Sequence, residues 1–153
     1  MLVPLTKSKD QEVQRLAAHA LANLSVNGEY YLLEHLSTGL AHLLTTPSRA
    51  HLPHLADNQR LMAEEGAIEC LIQLLTSSNE LIQRQSAKAL ANLGVNADNK
   101  PRIAAAGGIP KLIALASTSL IAVKIEAVAA LANLAVNGTQ IFLRVFINSF
   151  MVR

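Results

Sequence analysis

The apolar residues of this chain recur at intervals of three and four, which is the spacing of one face of an α-helix. Between residues 56 and 137, short polar or glycine breaks divide this pattern into segments. A short segment that ends at glycine is followed by an apolar stripe, a polar break and a long segment rich in Ala and Leu. The pattern therefore predicts a short first helix, a second helix and a longer third helix, in that order and twice over.

The boundaries of the predicted helices carry recognisable residues. We expect the pairs Asp57-Asn58 and Asp98-Asn99 to cap the first helices, and glycine at Gly66 and Gly107-Gly108 to end them. The stripe of the second helix has matching apolar residues in both copies: Ile68, Leu71, Ile72, Leu74 and Leu75 in one, and Ile109, Leu112, Ile113, Leu115 and Ala116 in the other.

The third predicted helix ends in a phrase that occurs three times. It reads ALANLSVN at Ala20–Asn27, ALANLGVN at Ala89–Asn96 and ALANLAVN at Ala130–Asn137. Asn92 and Asn133 are 41 residues apart, whereas Asn23 and Asn92 are 69 apart, which is the same period plus 28. A fixed period in the forties is typical of a helical solenoid, in which each unit buries its apolar stripe only by stacking on its neighbours.

The alignment of the chain on itself predicts five segments. They are a partial unit at 1–27 with the second and third helices only, a non-repeat insertion at 28–55, complete units at 56–96 and 97–137, and an apolar non-repeat tail at 138–153. Because the first helix of the first unit is missing, we interpret the chain as a piece of a longer array. Pro4 falls inside a predicted helix, where proline is unfavourable unless the end frays.

The insertion Gly28–Leu55 has two explanations that the sequence leaves open. Its removal restores the register of the repeat, and the tail departs from the pattern at the equivalent point, after Asn137. A retained intron would account for both departures. A genuine insertion in a loop would also be tolerated, because the entropic cost of closing a loop grows slowly with its length.

Composition narrows the class of protein. Apolar residues make up 51% of the chain and aromatic residues only 3%, so the apolar content is mainly Ala and Leu, which favour helix. The formal net charge of +2 is too balanced to indicate nucleic-acid binding. Cys70 is the only cysteine, which excludes an internal disulfide and favours a reducing compartment, the cytoplasm or alternatively the nucleus. No apolar run is long enough to predict membrane insertion.

The sequence contains no arrangement typical of an active site or a cofactor site. His35, His42, His51 and His54 lie in the insertion without a nearby cysteine, so we do not predict a metal site there. No nucleophile elbow, phosphate-binding loop or dinucleotide-binding loop is present. We therefore predict no enzyme activity, no cofactor and no bound metal.

The repeats resemble the armadillo family. The features that carry this resemblance are Gly66-Ala67-Ile68, Gly108-Ile109-Pro110 and the three Ala-Leu-Ala-Asn-Leu segments. The sequence of these segments is most similar to that of fungal vacuolar and plant armadillo proteins. The resemblance implies an all-α, right-handed superhelical solenoid of about two and a half three-helix units. It also implies a non-catalytic scaffold that binds an extended peptide or partner protein along a concave groove lined by third helices.

The resemblance further implies which residues line this groove. In the family, the Asn of the repeated phrase contacts the peptide backbone, and the equivalent residues here are Asn23, Asn92 and Asn133. The alternative is that these residues only bind the neighbouring unit and hold the stack together. In the nuclear-import adaptors a Trp lies four residues earlier, where this chain has His19, Lys88 and Ala129, so recognition of basic nuclear-localisation peptides is not expected.

Positive charge on the same helical face suggests a different ligand. Arg15 and Arg84 lie four residues before His19 and Lys88, so two stripes of the third helices are partly cationic. Our hypothesis is a groove that prefers acidic or neutral extended peptides; solvated surface charge is the alternative. A second interpretation makes the chain the partner-binding segment of a larger armadillo protein, such as a ubiquitin ligase, a kinesin or a vacuolar or junction adaptor.

Overall fold

The computed structural model of the chain describes residues 2–25 and 55–136, and all regular elements in these ranges are helical. The insertion up to residue 54, its four histidines and the apolar tail lie outside the described residues. In chain order, the elements are a short 3-10 helix at Val3–Lys7 followed by α1 (Gln11–Leu24), α2 (Leu55–Glu64), α3 (Ala67–Leu74), α4 (Glu80–Leu93), α5 (Asn99–Ala105), α6 (Gly108–Ala116) and α7 (Ile121–Ala135).

The helices stack as a solenoid, as the repeat predicts. The third helices α1, α4 and α7 lie side by side, with α4 in contact with both of the others. Helices α3 and α6 pack against the third helices of their own units. The 28 extra residues between α1 and α2 do not change this order, because α1 packs on α4 as α4 packs on α7.

The apolar stripes form one continuous core through the units. Ile68 and Leu71 of α3, Leu90 of α4 and Leu112 of α6 are all fully buried. Removing a side chain of this size from water stabilises a fold by about 1.5–3 kcal/mol. The same core cluster contains residues of all three units, so stacking contributes to the stability.

Glycine ends the first helix in both complete units, as predicted. Gly66 and Gly107 have φ angles of 83° and 77°, in the left-handed region that a side chain disfavours. Gly108 is required for a different reason, since a Cβ atom there would lie 2.8 Å from the Cγ2 atom of Ile103. The two glycines therefore perform separate tasks, one in the turn and one in packing.

The predicted Asp-Asn caps are wrong. Helix α2 already begins at Leu55, before the first pair, and the Asp98 side chain makes no capping hydrogen bond. Asn99 is 1% exposed, and its amide donates to the carbonyl oxygens of Leu93 and Gln59, both at 3.2 Å. The tight turn from α4 into α5 places Asn99 inside the stack, where its amide satisfies buried carbonyl groups instead of a helix end.

The first unit differs from the others at Pro4. Where the alignment predicts a second α-helix, the chain forms the 3-10 helix Val3–Lys7, with Pro4 in its first turn, where its missing N–H group is not needed. Helix α1 is a regular third helix. Its N-cap Asp10 accepts a hydrogen bond from the Glu12 N–H at 2.8 Å, as Asn79 does from Leu81 in the next complete unit at 2.9 Å.

Within the described part of the chain, no helix has the length and apolar character needed to cross a membrane.

Candidate functional site: the row of third helices

The candidate site is the surface formed by α1, α4 and α7. The three helices present equivalent residues four positions apart, which we call the groove row. It consists of Arg15, His19 and Asn23 on α1, of Arg84, Lys88 and Asn92 on α4, and of Ile125, Ala129 and Asn133 on α7. The seven residues that the sequence predicted for the groove thus lie on three neighbouring helices.

The asparagines of α4 and α7 connect consecutive units. The Nδ2 atom of Asn133 donates to the carbonyl oxygen of Ala91 at 2.8 Å. The Nδ2 atom of Asn92 donates to the carbonyl oxygen of Ala22 at 3.3 Å and to the hydroxyl oxygen of Ser25 at 3.0 Å. The same bond therefore joins α4 to α1 and α7 to α4, which indicates a stacking role for these side chains.

This stacking role leaves part of each amide available. Both N–H groups of Asn92 are used by the preceding unit, whereas its Oδ1 atom accepts no hydrogen bond from the described residues. Asn23 is exposed, and its side chain has no hydrogen bond to any residue in the described ranges. A side-chain amide has both donors and an acceptor, so an oxygen held in place by its own nitrogen can still accept a peptide N–H group.

The cations of the row are partly neutralised by carboxylates. The Nε atom of Arg84 lies 3.8 Å from the carboxylate of Glu126 on α7, so this ion pair crosses from one unit to the next. Arg15 forms a two-point ion pair with Glu12 on its own helix. The hydrogen bond from Arg15 holds the pKa of the exposed Glu12 carboxyl below its ordinary value. The net positive charge of the row is lower than the sequence predicted.

Sequence reasoning missed both carboxylates for different reasons. Glu12 and Arg15 are three residues apart, which is the spacing of a helical ion pair and could have been recognised. Glu126 and Arg84 are 42 residues apart, and only the stacking of α7 on α4 brings them together. Lys88 is half-buried and His19 exposed, and among the described residues neither has an ion pair.

A second set of polar side chains binds backbone carbonyl groups, either of the preceding unit or within the same unit. Arg102 donates to the carbonyl oxygen of Ala63 at 2.6 Å, and Lys111 donates to that of Ile72 at 3.1 Å. Lys100, only 7% exposed, donates to the carbonyl oxygens of Asn133, at 2.7 Å, and Val136. These contacts place positive charge at helix C-termini, where it is favourable, and explain why several cations of the chain serve packing.

The site is a surface of a repeat array and has no metal-binding character. Within the described ranges, no three His, Cys, Asp or Glu residues are close enough to hold a metal ion. Cys70 is buried in α3.

Comparison with known families decides the classification of the chain. A family model described as the armadillo/beta-catenin-like repeat matches residues 56–95 and 96–136. The chain belongs to the armadillo repeat family. The two matched stretches contain α2 to α7, and therefore two of the three asparagines of the groove row.

Solved structures show the same fold. Two engineered proteins, 27% and 29% identical to the chain, superpose with TM-scores of 0.61 over 95% of it. The chain spans 66% and 40% of the length of these proteins. A designed armadillo repeat protein in complex with the peptide (KR)4 is 21% identical, with a TM-score of 0.60 over 94% of the chain and 68% of the designed protein. A search of curated proteins finds no match.

Proposed function

We propose that the chain is a non-catalytic module that binds an extended segment of a partner protein along the groove row. The observation that carries this proposal is the hydrogen bonding of the Asn92 side chain. Both of its N–H groups are bound to the preceding unit, and its oxygen accepts nothing from the described residues. The side chain is therefore held in one orientation and has its acceptor available for a ligand.

The chemistry of the row suits a peptide backbone. An array of amide oxygens at the period of the units can accept hydrogen bonds from successive N–H groups of an extended chain without reading its side chains. The designed armadillo repeat protein in complex with (KR)4 supports peptide binding as a use of this fold. In this chain, Lys88 and His19 form no ion pair with a described residue, which favours acidic or neutral peptides over basic ones.

An alternative is that residues 56–136 act as the partner-binding part of a larger armadillo protein, such as a ubiquitin ligase, a kinesin or a vacuolar or junction adaptor. Val128 of α7 is 50% exposed, whereas its equivalent on α4, Ala87, is fully buried by α7. A following unit would cover Val128 in the same way. Binding along the row would then be shared with neighbouring units.

Peptide capture by the purified chain tests the proposal. Immobilised ten-residue peptides of acidic, neutral and basic composition would be compared for the parent chain and for Asn23→Ala, with Gln73→Ala on the exposed surface of α3 as a matched control. We expect acidic and neutral peptides to be retained, and Asn23→Ala to weaken binding about fivefold, which corresponds to one net hydrogen bond of about 1 kcal/mol.

Asn23 is the decisive position because its side chain has no hydrogen bond to a described residue that its replacement could break. Asn92→Ala and Asn133→Ala would extend the test, with thermal unfolding measured in parallel to separate lost binding from lost stability. Failure to retain any peptide, or equal retention by the parent chain and Asn23→Ala, would contradict the proposal.

A further inference from the structure

Two isoleucines form an apolar surface on α7: Ile125 belongs to the groove row, and Ile121 lies one turn before it. Ile121 and Ile125 are 72% and 61% exposed, which is high for large apolar side chains. They lie on the face of α7 opposite its core residues, which are Val123, Ala127, Ala130 and Leu134. On α4 the equivalent positions carry the charged residues Glu80 and Arg84.

The exposure of Ile125 is a property of its position on the helix row, since the equivalent position on α4 stays exposed when a further helix is stacked on it. Its equivalent, Arg84, keeps 45% of its side chain exposed even though α7 is stacked on α4. By contrast, Ala87 and Ala91 become 0% and 4% exposed under α7. A unit stacked on α7 would therefore cover Val128 and Ala132, the equivalents of these alanines, and leave Ile125 open to a ligand.

Positive charge lies immediately beside this apolar surface. Arg84 is 3.8 Å from Glu126 and shares its charge with that carboxylate. Lys88, one turn further along α4, has no ion pair with any described residue. A ligand that crosses from α4 to α7 would meet an available cation first and an aliphatic surface next.

We propose that the row selects extended peptides that combine a carboxylate, placed at Lys88, with a large apolar side chain about three residues away, placed on Ile121 and Ile125. This inference rests on the proposed function and adds a ligand class to it. The separation follows from geometry, because neighbouring packed helices are about 8–10 Å apart and an extended chain advances about 3.3 Å per residue.

The two halves of this ligand contribute in different ways. A leucine or phenylalanine that covers exposed isoleucine is removed from water at both surfaces, which supplies affinity. An ion pair with Lys88 near the surface is weak and screened by salt, so it contributes mainly orientation and selectivity. The combination explains how a groove with little net charge can still discriminate between peptides.

Fluorescence anisotropy with four labelled peptides tests this inference. The parent peptide consists of neutral, flexible residues apart from one Glu and a Leu three residues later. Each of the four sequences is made in both chain directions. Three derivatives replace Glu by Lys, Leu by Ser, or both. We expect the parent peptide to bind about tenfold more tightly than the derivative without Leu, and raised salt to reduce the preference for Glu over Lys.

Variants of the protein test which residue recognises the carboxylate and which recognises the apolar side chain. Ile125→Ser should remove the preference for Leu, and Lys88→Glu should reverse the preference for Glu over Lys. Two matched controls should change neither preference. Val95→Ser replaces a valine that is 60% exposed but lies in the turn after α4, and Lys9→Glu replaces a lysine before α1. Thermal unfolding of each variant would verify that the fold is retained.

The outcomes separate this inference from the proposed function. Equal binding of all four peptides, together with weaker binding by Asn23→Ala, would retain peptide binding and overturn the selectivity. Absence of binding by every peptide would overturn both. A last control is a chain from which residues 138–153 have been removed. If the peptides bind only to this shorter chain, the apolar tail is the occupant of the isoleucine surface and the proposal is wrong.

Discussion

At the residue scale, Asn92 and Asn133 of the repeated phrase have the stacking role that the sequence presents as one of two alternatives. The nitrogen of each binds the neighbouring unit, as the bond from Asn133 to Ala91 demonstrates. An apolar residue would fill the same space but would leave the Ala91 carbonyl without its partner. The choice of Asn at this position is therefore explained by stacking even before any ligand is considered.

Replacement of these asparagines should separate stability from binding. We expect Asn133→Ala to lower the free energy of unfolding by about 1 kcal/mol, because one partly buried hydrogen bond is lost. Asn23→Ala should leave stability unchanged, since Asn23 has no bond within the described stack. Urea denaturation of the two variants measures the difference. An equal loss for both would show that the inter-unit bond contributes nothing.

At the element scale, the turn between the first and second helices depends on two adjacent glycines with unlike functions. Gly107 adopts a φ angle of 77° and has open space around it, whereas Gly108 lies against Ile103 and Ile72. In the preceding unit the equivalent of Gly108 is Ala67, which is fully buried. The equivalent of Ile103 there is Met62, whose unbranched side chain adapts more easily to a neighbouring methyl group.

Alanine substitutions should show which requirement is stricter. Gly107→Ala should cost about 1–2 kcal/mol for the left-handed backbone alone. Gly108→Ala should cost more, about 1–3 kcal/mol, because its Cβ would lie 2.8 Å from Ile103 Cγ2 and 2.9 Å from the Ile103 carbonyl oxygen. Adding Ile103→Met should restore part of the loss. Thermal unfolding of the three variants checks the order, and a smaller effect at Gly108 than at Gly107 would contradict it.

The ion pair at the start of α1 predicts a pH dependence. The pKa of Glu12 is lowered in the folded chain by its hydrogen bond to Arg15. A depressed carboxyl pKa contributes stability above the unfolded pKa and loses it as the pH falls through the folded value. Glu12→Gln should therefore destabilise the chain more at pH 7 than at pH 3. Urea midpoints of both proteins at the two pH values test this, and an identical difference at both would refute it.

At the scale of the whole molecule, the stack is held by an apolar core and by polar bonds that repeat between units. Residues separated by a long insertion behave as neighbours, because α4 joins α1 through Asn92 as α7 joins α4 through Asn133. Gln59, next to the insertion in sequence, also donates to the carbonyl oxygens of Ser25 and Asn92, at 3.2 and 2.9 Å. The first contact between units therefore does not depend on the chain that connects them.

Removal of Gly28–Leu55 should consequently preserve the stack. We expect the shortened chain to be more stable by about 1–2 kcal/mol, since a shorter loop costs less entropy to close. Asn92→Ala should destabilise the shortened and the full chain equally, because the bonds to Ala22 and Ser25 are the same in both. Chemical denaturation of the four proteins tests this. A shortened chain of lower stability would indicate that the insertion contributes to the fold.

The sequence by itself determined the features that arise from local physics. Helical segments follow from the spacing of apolar residues, the ends of the first helices follow from the glycines at Gly66 and Gly107, and the repeat of the phrase predicts the solenoid and the common helix row. Each of these depends on residues within one turn or one unit of each other. For this reason the fold and the position of the row could be predicted before the structure.

Only the tertiary structure decided how the side chains of that row are used. The hydrogen bond from Asn92 to Ala22 joins residues 70 positions apart, and the ion pair between Arg84 and Glu126 joins residues 42 positions apart. Such partners cannot be predicted from a local sequence pattern. The burial of Asn99 likewise depends on what lies across the stack, because its amide binds Gln59 of the preceding unit. Stacking brings distant residues within bonding distance, and it thereby determines which polar groups are consumed by the fold and which remain for a ligand.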